Sequence, residues 1–405
     1  MLHLAKVKII VQRAFKLALA LAFFSTVFSQ TATAQQNVTD VKLFVGANFV
    51  SDTNLFRVED EIQTPGGDDG RGIADIYFSL YGGIDSNWAV TPKGTIRFDA
   101  EIIESIYDEY PETDNTSGNV LARYDFRGNA TEFFGGYARV EELVNFENQV
   151  TPRIDFRIRQ RVFAGIRQRL GLNWSIGLGG GFTDIDFDIA TPVERNSADF
   201  DFTYESRKGS TFAIVADFQK RENAGANSLG FEETMIGPEI EWKISSTFEM
   251  NIDLKYQERL PEDPTLVEFD GPTGGIELDW TVSERVSFSL EAFHRISSLG
   301  DQLSNFAIVD GQSFKGEWKG SEKLIFSLRV DHELRDFEEE PSLVPIPGQD
   351  VREDDLTKVF VGIAWKPRRT MTIDLSAEIG DRSSNRLLQD FEYDTYTVGF
   401  RYEFL

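Results

Sequence analysis

Trp280-Thr-Val-Ser-Glu-Arg-Val286-Ser-Phe-Ser-Leu-Glu-Ala292-Phe-His294 is one unit of a repeat. After the tryptophan comes a short turn, and then Val286, Phe288, Leu290 and Ala292 alternate with Ser287, Ser289 and Glu291. An apolar period of two is a β-strand with one apolar face. Trp242, Trp318 and Trp365 begin the same unit: six residues on from the four tryptophans stand Phe248, Val286, Leu324 and Met371, each opening the apolar face of the next strand. Fourteen residues on from the first three stand Tyr256, His294 and His332, and from Trp365, Ile379. Val286 to His294 is about what a tilted strand needs to cross hydrocarbon. Trp88 and Trp174 also lie beside short connections, so the six tryptophans are expected to form the periplasmic aromatic girdle of a barrel, with Tyr256, His294 and His332 at the opposite interface.

The alternation hardly stops elsewhere. Val41 to Phe49, Ile96 to Ile102, Phe248 to Tyr256, Met371 to Ala377 and Val398 to Phe404 all show it. A soluble sandwich would give the same pattern, so the connections decide. Short ones, near 85–93, 127–131, 167–173, 206–210, 243–247, 281–285, 319–323 and 366–370, mostly carry Lys or Arg. Between them lie longer, acidic ones at 51–70, 108–118, 141–152, 184–197, 221–230, 257–267, 296–305, 333–355 and 380–394. Sorting of this kind belongs to outer-membrane barrels, with turns on the periplasmic side and loops outside. The expected fold is therefore all-β: a transmembrane antiparallel β-barrel of 16 or, by this count, 18 strands, without a plug domain.

Composition agrees and excludes much else. The 405 residues hold 41 basic and 67 acidic side chains, no cysteine and three histidines. Disulfides, thiolate chemistry and Cys-bound metals are absent, no cofactor is implied, and a net charge of −26 argues against nucleic acid as a partner. Residues 1–34 read as a secretory signal peptide: Lys6, Lys8, Arg13 and Lys16 precede an apolar Leu17–Phe28 stretch and an Ala32-Thr33-Ala34 cleavage site. Residues 35–405 would then be the outer-membrane barrel, carrying a charge of −30 once those four basic residues are removed, with lipid, lipopolysaccharide and the barrel assembly machinery as partners.

One strand stands out. Arg153, Arg157, Arg159, Arg161, Arg167 and Arg169 alternate with Ile154, Phe156, Ile158, Val162 and Ile166, which puts six guanidinium groups on one lumen face. Later lumen faces carry Glu249, Asp253 and Glu277, expected to form an opposed acidic wall. The ladder reads in two ways: as a rail for an anionic solute, since guanidinium binds carboxylate or phosphate bidentately, or as a salt-bridged brace. His294 and His332 share the parity of Leu290 and Leu328, so they point outward and offer neither a metal nor a catalytic site. Gly177 to Gly181 is no phosphate cradle because no helix follows it; glycine here permits close packing.

Ser51-Asp-Thr-Asn-Leu-Phe-Arg57 after the first strand, the Trp hairpins and the C-terminal Phe400-Arg-Tyr-Glu-Phe404-Leu405 together resemble the β-barrel porin 2 family, the EpsL-like outer-membrane proteins of exopolysaccharide operons. That resemblance implies a part in exopolysaccharide export, with an anionic polysaccharide as cargo. The residues themselves argue for a channel for hydrophilic solutes and not an enzyme. The alternative is a structural or adhesive surface barrel with cation-binding acidic loops.

Overall fold

The computed structural model describes residues 38–404 except 66, 68–69, 150–151, 224–229, 299–305 and 339–350. The signal peptide read at 1–34 lies outside the described residues. The first nine strands are β1 (Val38–Asp52), β2 (Asp75–Thr91), β3 (Gly94–Tyr107), β4 (Asn115–Arg127), β5 (Thr131–Leu143), β6 (Phe156–Arg169), β7 (Trp174–Phe187), β8 (Val193–Glu205) and β9 (Thr211–Asn223). The others are β10 (Phe231–Lys243), β11 (Phe248–Pro261), β12 (Phe269–Ser283), β13 (Val286–Ser297), β14 (Phe306–Ser321), β15 (Leu324–Glu338), β16 (Glu353–Arg368), β17 (Met371–Ser384) and β18 (Phe391–Phe404).

Every strand pairs antiparallel with its neighbours in the chain, and β1 pairs with β18 from Leu43 opposite Phe404 to Asp52 opposite Thr395. The sheet of eighteen strands is therefore closed. Register is tightly specified, because a slip of one residue would turn every apolar side chain into the lumen. Phe49, Val162, Ile214, Leu254, Leu290, Val361, Leu375 and Val398 all stand on the outer surface. In water that belt would be an aggregation surface, whereas in a bilayer it faces hydrocarbon.

All six tryptophans lie at the short-turn end. Trp174 stacks on Phe202 at 4.9 Å and Trp318 on Phe326 at 5.0 Å, both across strand pairs. One turn falls elsewhere than expected. The sequence suggests a connection at 85–93, yet β2 continues to Thr91 and turns at 92–93. Asp85-Ser-Asn87 is polar because Asp85 and Asn87 face the lumen, and the Ser86 hydroxyl donates to the Phe98 carbonyl at 2.9 Å.

The main apolar core sits inside the barrel mouth. Leu55, Phe56 and Val58 from the loop after β1, Tyr107 and Tyr110 from the end of β3, and Phe146 from the loop after β5 pack together there. Phe56 and Tyr110 are fully buried, ring edge to ring face at 4.6 Å, and Phe146 meets Phe56 at 4.9 Å. A barrel of this size leaves an open conduit unless long loops close it, and the sequence does not say which loop does so. Here Leu55, Phe56 and Val58, Tyr110, and Phe146, from the loops after β1, β3 and β5, fill part of the mouth; residues 339–350, between β15 and β16, lie outside the described residues.

Candidate functional site

The loop between β5 and β6 forms a strap across the lumen. Asn145 starts a single turn of 3-10 helix, Phe146–Asn148, its side chain accepting from the Glu147 amide at 2.8 Å. That turn aims Glu147 at lumen-facing cations on three other strands. Lys358 of β16 donates to one carboxylate oxygen, and Arg335 of β15 lies 3.4 Å from the other. Arg335 also donates to the Asn148 side chain at 3.0 Å, and Arg382 of β17 donates to the Glu147 carbonyl at 2.7 Å. In a ring of eighteen, β16 is ten strands from β6 one way and eight the other, so these contacts span the mouth. Burial works against the Glu147 charge, but Lys358 and Arg335 outweigh it and hold the carboxyl below its ordinary value.

Asn54-Leu-Phe-Arg57, read from sequence only as a mark of resemblance, holds the strap from the other side. The Asn54 amide donates to the Val58 carbonyl at 2.7 Å and the Glu392 carbonyl at 3.0 Å. Arg57 forks onto Asp52 at 2.8 and 2.9 Å and lies 3.5 Å above the Tyr393 ring. Its φ of 58° is a left-handed conformation that those contacts must stabilise.

The arginine ladder faces the lumen along β6, but its members differ. Arg157 pairs with Glu142, Arg167 with Asp201 at 3.0 Å and Arg169 with Glu132 at 2.9 Å. Arg153 lies before the strand, 3.6 Å from Asp155, a buried carboxylate that also accepts from the Ile189 and Ala190 amides. Among the described residues, Arg159 and Arg161 have no carboxylate partner; Arg161 lies over Phe163 at 5.4 Å. Four of the six thus have the geometry of a brace, and Arg159 and Arg161 do not.

Glu249 and Asp253 on β11 and Glu277 on β12 do not stand opposite the ladder. Strand order in the ring is chain order, so they lie five and six strands round from β6, roughly a third of the circumference. They belong to an acidic stretch of wall beginning on β8, with Asp199 and Asp201, and continuing through Asp217 and Glu239. The glycines of β7 make room for it. A Cβ on Gly177 would lie 2.0 Å from an Asp201 oxygen, and one on Gly179 2.4 Å from an Asp199 oxygen. This wall lines a lumen cavity of about 1060 Å³.

Arg195, Arg221, Arg259, Arg335 and Arg382 escaped the sequence reading because its boundaries placed them in loops 184–197, 221–230, 257–267, 333–355 and 380–394. The strands run farther, and all five are lumen-facing strand residues. His294 and His332 stand on the outer face, where each meets a single carboxylate: Asp310 at 2.8 Å and Asp355 at 3.3 Å. Replacing both with Tyr should change the unfolding free energy by no more than about 0.5 kcal/mol and leave conductance unaltered. Loss of conductance in either single variant would give them a role that this geometry does not.

No protein-family model matches the chain, and no curated protein is similar to it in sequence. Solved structures similar in fold include OccK1 (OpdK) of Pseudomonas aeruginosa, at 9% identity and a TM-score of 0.54, covering 91% of this chain and 100% of that one. OccAB3 of Acinetobacter baumannii matches at 9% identity, TM-score 0.53, with 91% and 100% covered. OccK2 (OpdF) of Pseudomonas aeruginosa in complex with glucuronate matches at 9% identity, TM-score 0.53, with 92% and 100% covered. The fold is that of these porins, a closed antiparallel barrel of eighteen strands, and its place is the bacterial outer membrane.

Proposed function

We propose that this protein is a passive channel for small hydrophilic solutes, entered through a mouth narrowed by the 144–155 strap. The observation that carries the reading is the reach of Glu147 across the lumen to Arg335, Lys358 and Arg382. A narrowed, charge-lined mouth suits small solutes, as wide barrels leave an aqueous path that loops must restrict. Two fold neighbours were crystallised with small carboxylates, OpdK with vanillate and OccK2 with glucuronate. Export of an anionic exopolysaccharide, implied by the porin 2 resemblance, needs a path for a polymer, against which the strap weighs. Lipopolysaccharide contact is proposed on the outward Tyr256, His294 and His332 at the loop-side interface, and handling by the assembly machinery on the outward Val398-Phe400-Tyr402-Phe404 face of β18.

Planar-bilayer recording of the refolded protein tests the reading. Discrete conductance steps blocked by acidic monosaccharides are expected. Passage of acidic oligosaccharides without block would instead favour the export reading, and absence of conductance would favour a structural barrel. Within the ladder, Arg159→Gln with Arg161→Gln should shift ion selectivity toward cations, each charge being worth no more than about 1 kcal/mol in a screened lumen. Arg167→Gln with Arg169→Gln should shift it less, since those charges are already paired. Equal shifts from the two pairs would show that local pairing does not sort the ladder.

A further inference from the structure

The lumen wall of β8 to β11 carries its charges in two blocks, a basic one toward the mouth and an acidic one below it. On β5 and β6 opposite charges face each other, Glu142 across from Arg157 and Glu132 from Arg167. That neutralises the wall locally. On β8 and β9 like charges face each other, Arg195 directly across from Arg221 and, four residues deeper, Asp199 across from Asp217. Glu239 likewise stands across from Asp253 on β10 and β11. Like charges directly opposite in an antiparallel pair are destabilising unless a counter-charge reaches them; such rungs also occur at Asp85–Asp99, Arg97–Arg123 and Glu277–Glu291, and on β8 and β9 a basic rung stands above an acidic one.

The upper block is an arc at one height. Arg161 is across from Thr183, Thr183 from Arg195 and Arg195 from Arg221, in register round four strands. Arg159 and Arg259 are close enough for their charges to act on Arg195. Glu233, a carboxylate that acts on Arg195, is engaged by Arg259 at 2.6 Å, and Asp199 lies within the field of Arg161. Among the described residues the enclosed Arg195 Nε has no acceptor, a state it shares with the Nε of Arg157, whose other nitrogens reach Glu142.

The lower block lines the 1060 Å³ cavity, whose upper edge, at Glu233, is one lumen-facing residue below the Arg195–Arg221 rung. Lys255 offsets part of it, bridging Asp217 at 3.1 Å and Glu239 at 2.7 Å, and Asp199 and Asp253 remain in excess. A cationic group would be held there and repelled by the arc. An anionic group would be held by the arc and repelled below.

We infer that the wall of β8 to β11 is a binding site for a dipolar solute, one carrying a carboxylate or phosphate at one end and an amine at the other. This rests on the channel reading above and names the solute class of the same lumen. Four residues of strand separate the blocks, about 13 Å at 3.3 Å per residue, less whatever an arginine covers by leaning along the strand. A short aliphatic chain or a peptide backbone with charged ends spans that distance, whereas a compact anion uses only one block.

Block of single-channel current by aminocaproate, caproate and hexylamine separates the possibilities. The three share a chain and differ only in which charged ends are present. Aminocaproate should reach half-block at roughly tenfold lower concentration than either of the others. In Arg195→Gln/Arg221→Gln it should fall to the level of hexylamine, and in Asp199→Asn/Asp217→Asn to that of caproate. Heat-modifiable migration in gels confirms that each variant has closed its barrel. If caproate blocks the parent as well as aminocaproate does, the lumen reads an anion alone, and the dipolar inference falls while the channel stands. If equally good block survives in both pairs of variants, the sorted rungs are not the site. If the parent does not conduct at all, the channel reading fails and takes this inference with it.

Discussion

Single-channel conductance at least roughly doubles when Glu147→Ala is combined with Phe146→Ala, because the strap then loses both its ionic and its apolar hold and the aqueous cross-section widens. Glu147 and Arg335 are 7% and 5% exposed. Removing one partner of so buried a pair costs about 3–5 kcal/mol, and the lower figure applies because Arg335 keeps Glu333 at 2.7 Å. Glu147→Ala alone gives a smaller, noisier increase, since Phe146 still packs on Phe56. Acid should do what the mutation does. The Glu147 carboxyl is held below its ordinary value of 4.5, so its hold is fully present above that pH and is lost as pH falls through the lower, folded-state value. Conductance should therefore step up reversibly in acid below pH 4.5 in the parent and show no such step in Glu147→Gln. An unchanged conductance in the double variant would mean that the strap does not limit flow.

Phe56→Ala has the second large effect. Phe56 is fully buried between Tyr110 and Phe146, and truncating such a ring costs about 3–5 kcal/mol. The barrel does not depend on it, since its hydrogen-bond ring closes without the mouth. Heat-modifiable migration should persist while protease added outside cuts within 53–74 and 144–155 at a rate at least tenfold above the parent, a shift of about 1.4 kcal/mol in loop opening. Loss of the folded band altogether would show that the mouth core is needed for the barrel itself.

The membrane-embedded part of the molecule could be read from its sequence, and the reason is physical. Where a strand has lipid on one side and water on the other, the alternation is forced. Trp242, Trp280, Trp318 and Trp365 then fix the turn positions, which yields the strand count and the faces of Arg157 or Asp253. Above the hydrocarbon both faces are wet and the constraint lapses. Arg195, Arg221, Arg335 and Arg382 sit in those strand extensions, in sequence indistinguishable from acidic loops. The resemblance motif illustrates a second limit. Asn54 to Arg57 stands out in the sequence, but its partners, Glu392 and Tyr393, lie at the start of the last strand, and no local pattern links them.

The pairing of β1 with β18 has a consequence for how this chain comes into being. The rung joining Leu43 to Phe404 links nearly the earliest strand residue to the last, so loop-closure entropy for that contact is close to the maximum the chain allows. Until it forms, the sheet has two raw edges, each a row of free amides and carbonyls able to recruit another molecule. Seventeen strands correctly zipped are thus still a sticky ribbon. Completion is one late event, and any premature stop that removes β18 leaves a permanent template for misassembly in place of a slightly smaller pore.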